Sequence, residues 1–282
     1  MLSLLLAAAL EFTVQDARLS FDRAEELVEN CTPRDVGTSR SRDAANRILA
    51  AVREAGADAR IDAFRAKTPV GEREFANVCA EFRVADTNAR WVVVLSHYDT
   101  KLGSGCPGAN DGAATSGLLI GLAKAYSKWR QPTGNLMLIW TDGEECMFAY
   151  GPRDGFWGSK RAAEWLARQR RDVRAVICVD MLGDRDLAIM VPANGSRPLG
   201  ALAVAAAKKV GCPGLVRQIP ELVKDDHVAF LDLGFEAIDL IDFSYGPCNS
   251  YWHTPQDTMD KVSVESLFKS GKIVTEMINN LL

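Results

Sequence analysis

The chain has 282 residues, 48% of them hydrophobic and 25% charged, with a net charge of −4. That balance belongs to a globular protein with room for a sizeable core, and it lacks the basic stripe that nucleic-acid binding needs. No apolar stretch reaches the roughly 20 residues of a transmembrane helix, so no membrane span is expected.

The N-terminus opens Met1-Leu2-Ser3-Leu4-Leu5-Leu6-Ala7-Ala8-Ala9-Leu10. This run is either the apolar part of an export signal, although no Lys or Arg precedes it, or a first helix packed on the core. The first reading favours a secreted or periplasmic protein slightly over a cytoplasmic one. Residues 1–20 are set apart on this basis as a signal-like or N-terminal segment, and residues 21–282 read as one catalytic domain. No internal repeat or linker interrupts them. Seven cysteines are scattered without a CxxC pair, which gives neither zinc-ribbon spacing nor an obvious disulfide framework.

From Arg40 to Ala55 the apolar residues Ala44, Ile48, Ala51, Val52 and Ala55 recur three or four apart, the spacing of one helical face, and Gly56 follows as a C-cap. Asp58 to Phe64 and Asn77 to Val84 alternate polar with apolar, as strands at an edge or a half-exposed face do. Trp91 to Leu95 is continuously apolar, the mark of a strand buried on both faces. A Gly-rich loop, Leu102 to Asn110, leads into a helix over 114–129. Then come a strand at Leu136–Trp140, a helix at 156–168, a strand at 175–181, an Ala-rich helix at 199–210, a strand at 237–241 and a closing helix at 264–282. Alternating strands and helices predict an α/β fold with a mixed, largely parallel central sheet flanked by helices.

Ligands of such folds bind beyond the carboxyl ends of the strands. Those ends deliver Ser96-His97-Tyr98-Asp99, Asp142-Gly143-Glu144-Glu145, Asp180 and, after a longer gap, Trp252-His253-Thr254. Asp111 stands just before a helix, where an N-cap is the bland alternative. Asp99, two residues past His97, is placed to orient that ring or simply to make a turn. His227 reads as structural. Imidazoles and carboxylates converging this way suit zinc, which takes nitrogen and oxygen ligands and keeps one position open in catalytic sites. A cation would also compensate the adjacent glutamates, one binding it and the other staying free as a base.

The ordered set His97-Tyr98-Asp99, Asn110-Asp111-Gly112, Asp142-Gly143-Glu144-Glu145, Asp180 and His253-Thr254 resembles the zinc-dependent aminopeptidases of peptidase family M28. Within that family it is similar to the animal-type glutaminyl cyclases. Thr68-Pro69-Val70-Gly71 with Phe75-Ala76-Asn77, the segment Asp142 to Lys160, Asp225-Asp226-His227 and Trp252-His253-Thr254 carry the narrower likeness, which spans about Thr68 to Asp260. The resemblance implies an aminopeptidase-like α/β/α sandwich with one zinc ion on Asp111, Glu145 and His253. A second ion, on His97 and Asp180, stays open. It makes Glu144 the acid/base, joined by Asp180 and Asp225 in a hydrogen-bond network. Tyr150, where the animal enzymes have tryptophan, and Trp252 would line the substrate pocket; from the residues alone, Trp252 fits the core equally. The paired cysteines of the animal enzymes are replaced by Ser96 and Ser116. The implied activity is conversion of N-terminal glutamine, in a peptide or protein, to pyroglutamate with release of ammonia; the alternative is a metallo-aminopeptidase with one or two zinc ions.

Overall fold

The computed structural model describes residues 9–169 and 171–282. The first eight residues of the apolar N-terminal run therefore lie outside the described residues. An eight-stranded sheet forms the middle of the molecule. Its strands are β1 (Asp58–Thr68), β2 (Gly71–Phe82), β3 (Trp91–His97), β4 (Asn135–Thr141), β5 (Val173–Asp180), β6 (Ile189–Val191), β7 (Val216–Gln218) and β8 (Ala237–Ile241). They lie in the order β1-β2-β4-β3-β5-β8-β6-β7. The central strands β4, β3, β5 and β8 are parallel, whereas the β1–β2 hairpin and the β6–β8 pairing are antiparallel.

Among the described residues seven α-helices flank this sheet: α1 (Val14–Cys31), α2 (Ser39–Glu54), α3 (Thr115–Ser127), α4 (Trp157–Gln169), α5 (Arg197–Lys209), α6 (His227–Leu231) and α7 (Val264–Leu281). The pleat divides the core in two, because successive strand residues face opposite ways. Val92, Val94, Leu136, Leu138, Ile177 and Leu240 pack with α1, α2, α3, α5 and α7. Val93, Leu95, Met137, Ile139, Val176 and Cys178 pack with Ala162, Ala163 and Leu166 of α4 and Phe230 of α6. Each fully buried aliphatic side chain contributes about 1.5–3 kcal/mol. The architecture is the expected α/β/α sandwich.

Helix α1 is absent from the sequence reading, and the boundary drawn at residue 20 falls inside it. Its buried positions are Asp16, Ala17, Ser20, Ala24, Leu27 and Cys31, most of them small or polar, so no apolar stripe marks it. Close approach to α3 replaces bulk. A Cβ on Gly117 would sit 2.1 Å from the Ser20 carbonyl oxygen, and one on Gly121 2.2 Å from the Ser20 hydroxyl. Leu10 and Phe12 are buried too, so residues 10–20 are integral to the core. Two further corrections concern strands. β2 is an interior strand rather than an edge, buried from Phe75 onward, and β6 and β7 span only three residues each, too few to leave a pattern.

The chain leaves β3 for β4 on one side and then crosses to β5 on the other. The carboxyl end of β3 is thus the switch point where the sheet opens a crevice.

Candidate metal centre

Six of the expected residues meet at that crevice. His97 ends β3, Asp180 ends β5, and Glu144 and Glu145 sit in the turn after β4. Asp111 lies in an irregular turn before α3, where Gly112 has φ +96. A side chain there would lie 3.0 Å from the Asp99 carbonyl oxygen and 3.2 Å from the His97 ring, so glycine lets Asp111 close on His97. His253 enters from the loop after β8 with φ +57, a left-handed conformation that costs a non-glycine residue about 1–2 kcal/mol. Its ring stacks on that of Trp252 at 3.9 Å.

His253 Nε2 stands 2.8 Å from Glu145 Oε1 and 3.4 Å from Asp111 Oδ2. One ligand atom from each of the three lies within 4.8 Å of the others. His97, Asp111 and Asp180 form a second such group, with His97 Nε2 3.1 Å from both Asp111 Oδ1 and Asp180 Oδ1. Asp111 Oδ2 is buried and makes no hydrogen bond. An orphaned carboxylate oxygen facing an imidazole and a second carboxylate is costly to bury without a cation. The donor set, two carboxylates and one imidazole, fits zinc.

Glu144 stands outside both groups. Its carboxylate accepts a hydrogen bond from Tyr150 Oη at 3.2 Å, and the same hydroxyl lies 3.3 Å from Glu145. Burial, then the charge of Glu145, holds its pKa well above the ordinary carboxylate range; Asp225 and Asp226 add to the rise. Burial, then Asp180, pushes Asp225 up to about 7, and burial, then Asp225, does the same for Asp226. For His97, burial works toward a lower pKa. The charge of Asp180 and hydrogen bonds with Asp111, Asp180 and Asp99 override it and hold the imidazole well above its usual value. His227 is pushed down to about 4 by burial, as a structural histidine would be.

Asp111, Glu144, Glu145, Tyr150, Asp180, Asp225, Trp252 and His253 all line one cavity of about 330 Å³. Asp180 and Asp225 reach it without the expected hydrogen bonds to Glu144. Asp180 binds His97, and Asp225 accepts from the Asp226 amide. Ionised carboxylates cannot donate to one another, and only a shared proton would link these three. Trp252 joins the cavity wall edge-on to Phe243. Asp99 does more than face His97, 3.6 Å from Nδ1: its two oxygens accept the backbone amides of Glu144 and Glu145, each at 3.2 Å. The hydroxyls of Ser96 and Ser116 meet on the His97 carbonyl, at 3.1 and 3.0 Å, so the two positions are neighbours. All seven cysteines are free.

Sequence reasoning missed Lys101, Asp257 and Tyr245. Lys101 Nζ lies 3.6 Å from Glu145, and Asp257 accepts the amides of Asn110 and Asp111 and the hydroxyl of Tyr245. Asp257 carried one available signal, an acid four residues beyond His253.

A mixed, largely parallel sheet with a histidine- and carboxylate-lined crevice at its switch point defines an α/β enzyme of the aminopeptidase architecture with a candidate metal site. Residues 77–278 match Peptidase family M28, and the chain belongs to that family. Among characterised relatives, Drosophila melanogaster glutaminyl-peptide cyclotransferase is 27% identical over 255 residues, covering 80% of this chain and 70% of that protein. A crystal structure of an Acidobacteriales bacterium glutaminyl cyclase superposes with a TM-score of 0.91 at 26% identity, covering 100% of this chain and 98% of the other. A Zn-dependent exopeptidase from Parabacteroides distasonis shares the fold at a TM-score of 0.83 and 20% identity, over 97% of this chain and 99% of that one.

Proposed function

We propose that the chain is a zinc-dependent glutaminyl cyclase that converts the N-terminal glutamine of peptides to pyroglutamate and releases ammonia. One observation carries this reading: a buried carboxylate, Glu144, stands beside the Asp111–Glu145–His253 cluster but outside it, in one cavity of about 330 Å³. The names of the two glutaminyl-cyclizing relatives support it.

Asp111, Glu145 and His253 hold the metal. Zinc bound there supplies Lewis-acid polarisation of the γ-amide carbonyl. Tyr150 and Trp252 enclose the glutamine side chain and exclude water, which the reaction does not consume. Glu144 takes a proton from the α-amine as the nitrogen bonds to the amide carbon, and returns it to the departing nitrogen as that carbon–nitrogen bond breaks. A raised pKa suits a group that must accept and then give up a proton near neutrality. Burial and the neighbouring charges of Glu145, Asp225 and Asp226 keep that pKa high.

One ion is the better count. His97 Nε2 lies 3.1 Å from both Asp111 Oδ1 and Asp180 Oδ1, where a protonated ring would answer both charges without a second ion. The second reading, a two-metal aminopeptidase, rests on that same trio as a site for another ion. The test measures zinc stoichiometry and, in parallel, ammonia with cyclised product from a Gln-peptide and free amino acid from an aminoacyl amide. Ammonia and pyroglutamyl peptide with one zinc per chain are expected; amino acid release without pyroglutamate overturns the proposal.

A further inference from the structure

Between His97 and Asp111 the chain makes an irregular loop with no strand or helix until the turn that carries Asp111. Something must fix its shape, since the metal aspartate hangs from its far end. Two buried, oppositely charged side chains grip it.

Arg34, in the connection between α1 and α2, is fully buried. Its guanidinium spends its donors on backbone carbonyls of this loop: Nε to Tyr98 at 2.7 Å, Nη1 to Pro107 at 3.0 Å and Nη2 to Gly108 at 2.7 Å. It thereby ties the start of the loop to its end. The loop is shaped to receive it. Gly108 has φ +64, and a Cβ there would fall 2.5 Å from Arg34 Nη2 and 2.6 Å from the Thr100 methyl. Asp257 grips the same loop by its donors, accepting the amides of Asn110 at 2.8 Å and Asp111 at 3.2 Å. Tyr245 Oη, 2.6 Å from Asp257 Oδ1, holds that carboxylate in place. Guanidinium takes carbonyls, carboxylate takes amides, and the next residues along the chain are the aspartate and the glycine that face His97.

We infer that Arg34 and Asp257 are positioning residues for the metal centre, which set the place of Asp111 before any ion arrives. This rests on the assignment of Asp111 as a metal ligand and adds that its affinity is governed from two residues that touch neither metal nor substrate. Planarity and the fork of donors are what the role requires. Lysine, a point charge with one nitrogen, cannot span Tyr98, Pro107 and Gly108 together.

The test compares Arg34→Lys and Asp257→Asn with the wild type. Each protein is stripped of metal, its Tm measured, and zinc titrated back in competition with a chromophoric chelator; cobalt(II) absorption of the loaded protein reports ligand geometry. Zinc affinity is expected to fall about 10–100-fold in either variant, the range for residues that orient a metal ligand from behind it. The cobalt spectrum should change as well, and kcat on a Gln-peptide should fall more than KM rises. A purely structural role would lower the metal-free Tm while leaving zinc affinity and the cobalt spectrum as in the wild type; that result, in whichever variant folds, overturns the inference. Failure of the wild type itself to bind zinc would instead sink the metal assignment beneath it.

Discussion

Replacing Glu144 with Gln separates chemistry from metal binding, because the residue lies in the cavity yet outside the Asp111–Glu145–His253 group. Glutamine keeps the shape and a contact for Tyr150 Oη but cannot carry a proton. General acid–base catalysis by a positioned side chain is worth about 10²–10⁴-fold, or roughly 2.7–5.4 kcal/mol of barrier. The variant should therefore lose that much in kcat while retaining its zinc. Stability should move the other way. Glu144 is 6% exposed, and its charge is opposed by burial and by Glu145, Asp225 and Asp226. Its pKa is higher folded than unfolded. Its favourable contribution is complete below the unfolded value near 4.3 and is lost as pH rises through the folded value. Metal-free Glu144→Gln should thus match the wild type at pH 4 and exceed it above neutrality, each 1 kcal/mol of gain appearing as roughly 2–4 °C in Tm. The assays are coupled ammonia release, zinc content and calorimetry of chelator-treated protein across pH. Zinc-loaded variant with more than a tenth of wild-type kcat would refute the role of Glu144.

Asp225→Asn removes one of the charges that raise Glu144, so the acidic limb of the kcat/KM profile should move to lower pH; an unmoved limb would detach Asp225 from the base. Removing zinc should lower Tm by an amount set by free metal relative to its Kd, about 4 kcal/mol at a thousandfold ratio. Asp142, Asp225 and Asp226 are each pushed up to about 7 by burial, so they favour folding below their unfolded values and cease to do so as pH rises through 7. The chelated protein should accordingly lose stability between pH 4 and 8, and calorimetry showing the opposite slope would discount these shifts.

The central strands were legible because burial on both faces forces continuous apolar runs, and Trp91–Leu95 and Leu136–Trp140 sit within the observed β3 and β4. Helix α2 announced itself by its apolar period. Helix α1 did not, because it packs through Ser20 and Ala24 against glycines of α3, and contact between small residues leaves no hydrophobic signal. In the site, the strand-end rule brought His97, Glu144, Glu145, Asp180, Trp252 and His253 together with Asp111 before its helix, and the motif likeness added Asp225 and Tyr150 to one crevice. The detail of who bonds whom was hidden. Tyr150 was expected as a wall and also places its hydroxyl on both glutamates.

What stayed illegible has a common physical cause: carboxylates that serve loops rather than chemistry. Asp99 accepts the amides of Glu144 and Glu145, Asp142 that of Ala76, and Asp257 those of Asn110 and Asp111. Asp154 accepts three more, from Met147, Phe148 and Ala149. Hydrogen bonds to a charged acceptor contribute about 1.5–3 kcal/mol each, enough to fix turns that have no ladder of their own. The bonds that pin these loops come from backbone amides, which every residue except proline possesses, so the partners leave no residue signature in the sequence. The same crowding explains the raised pKa values around Glu144. Loops pinned by buried negative charge bring acids to the rim of a cavity that already holds acids, and the cation proposed on Asp111, Glu145 and His253 would offset part of that charge.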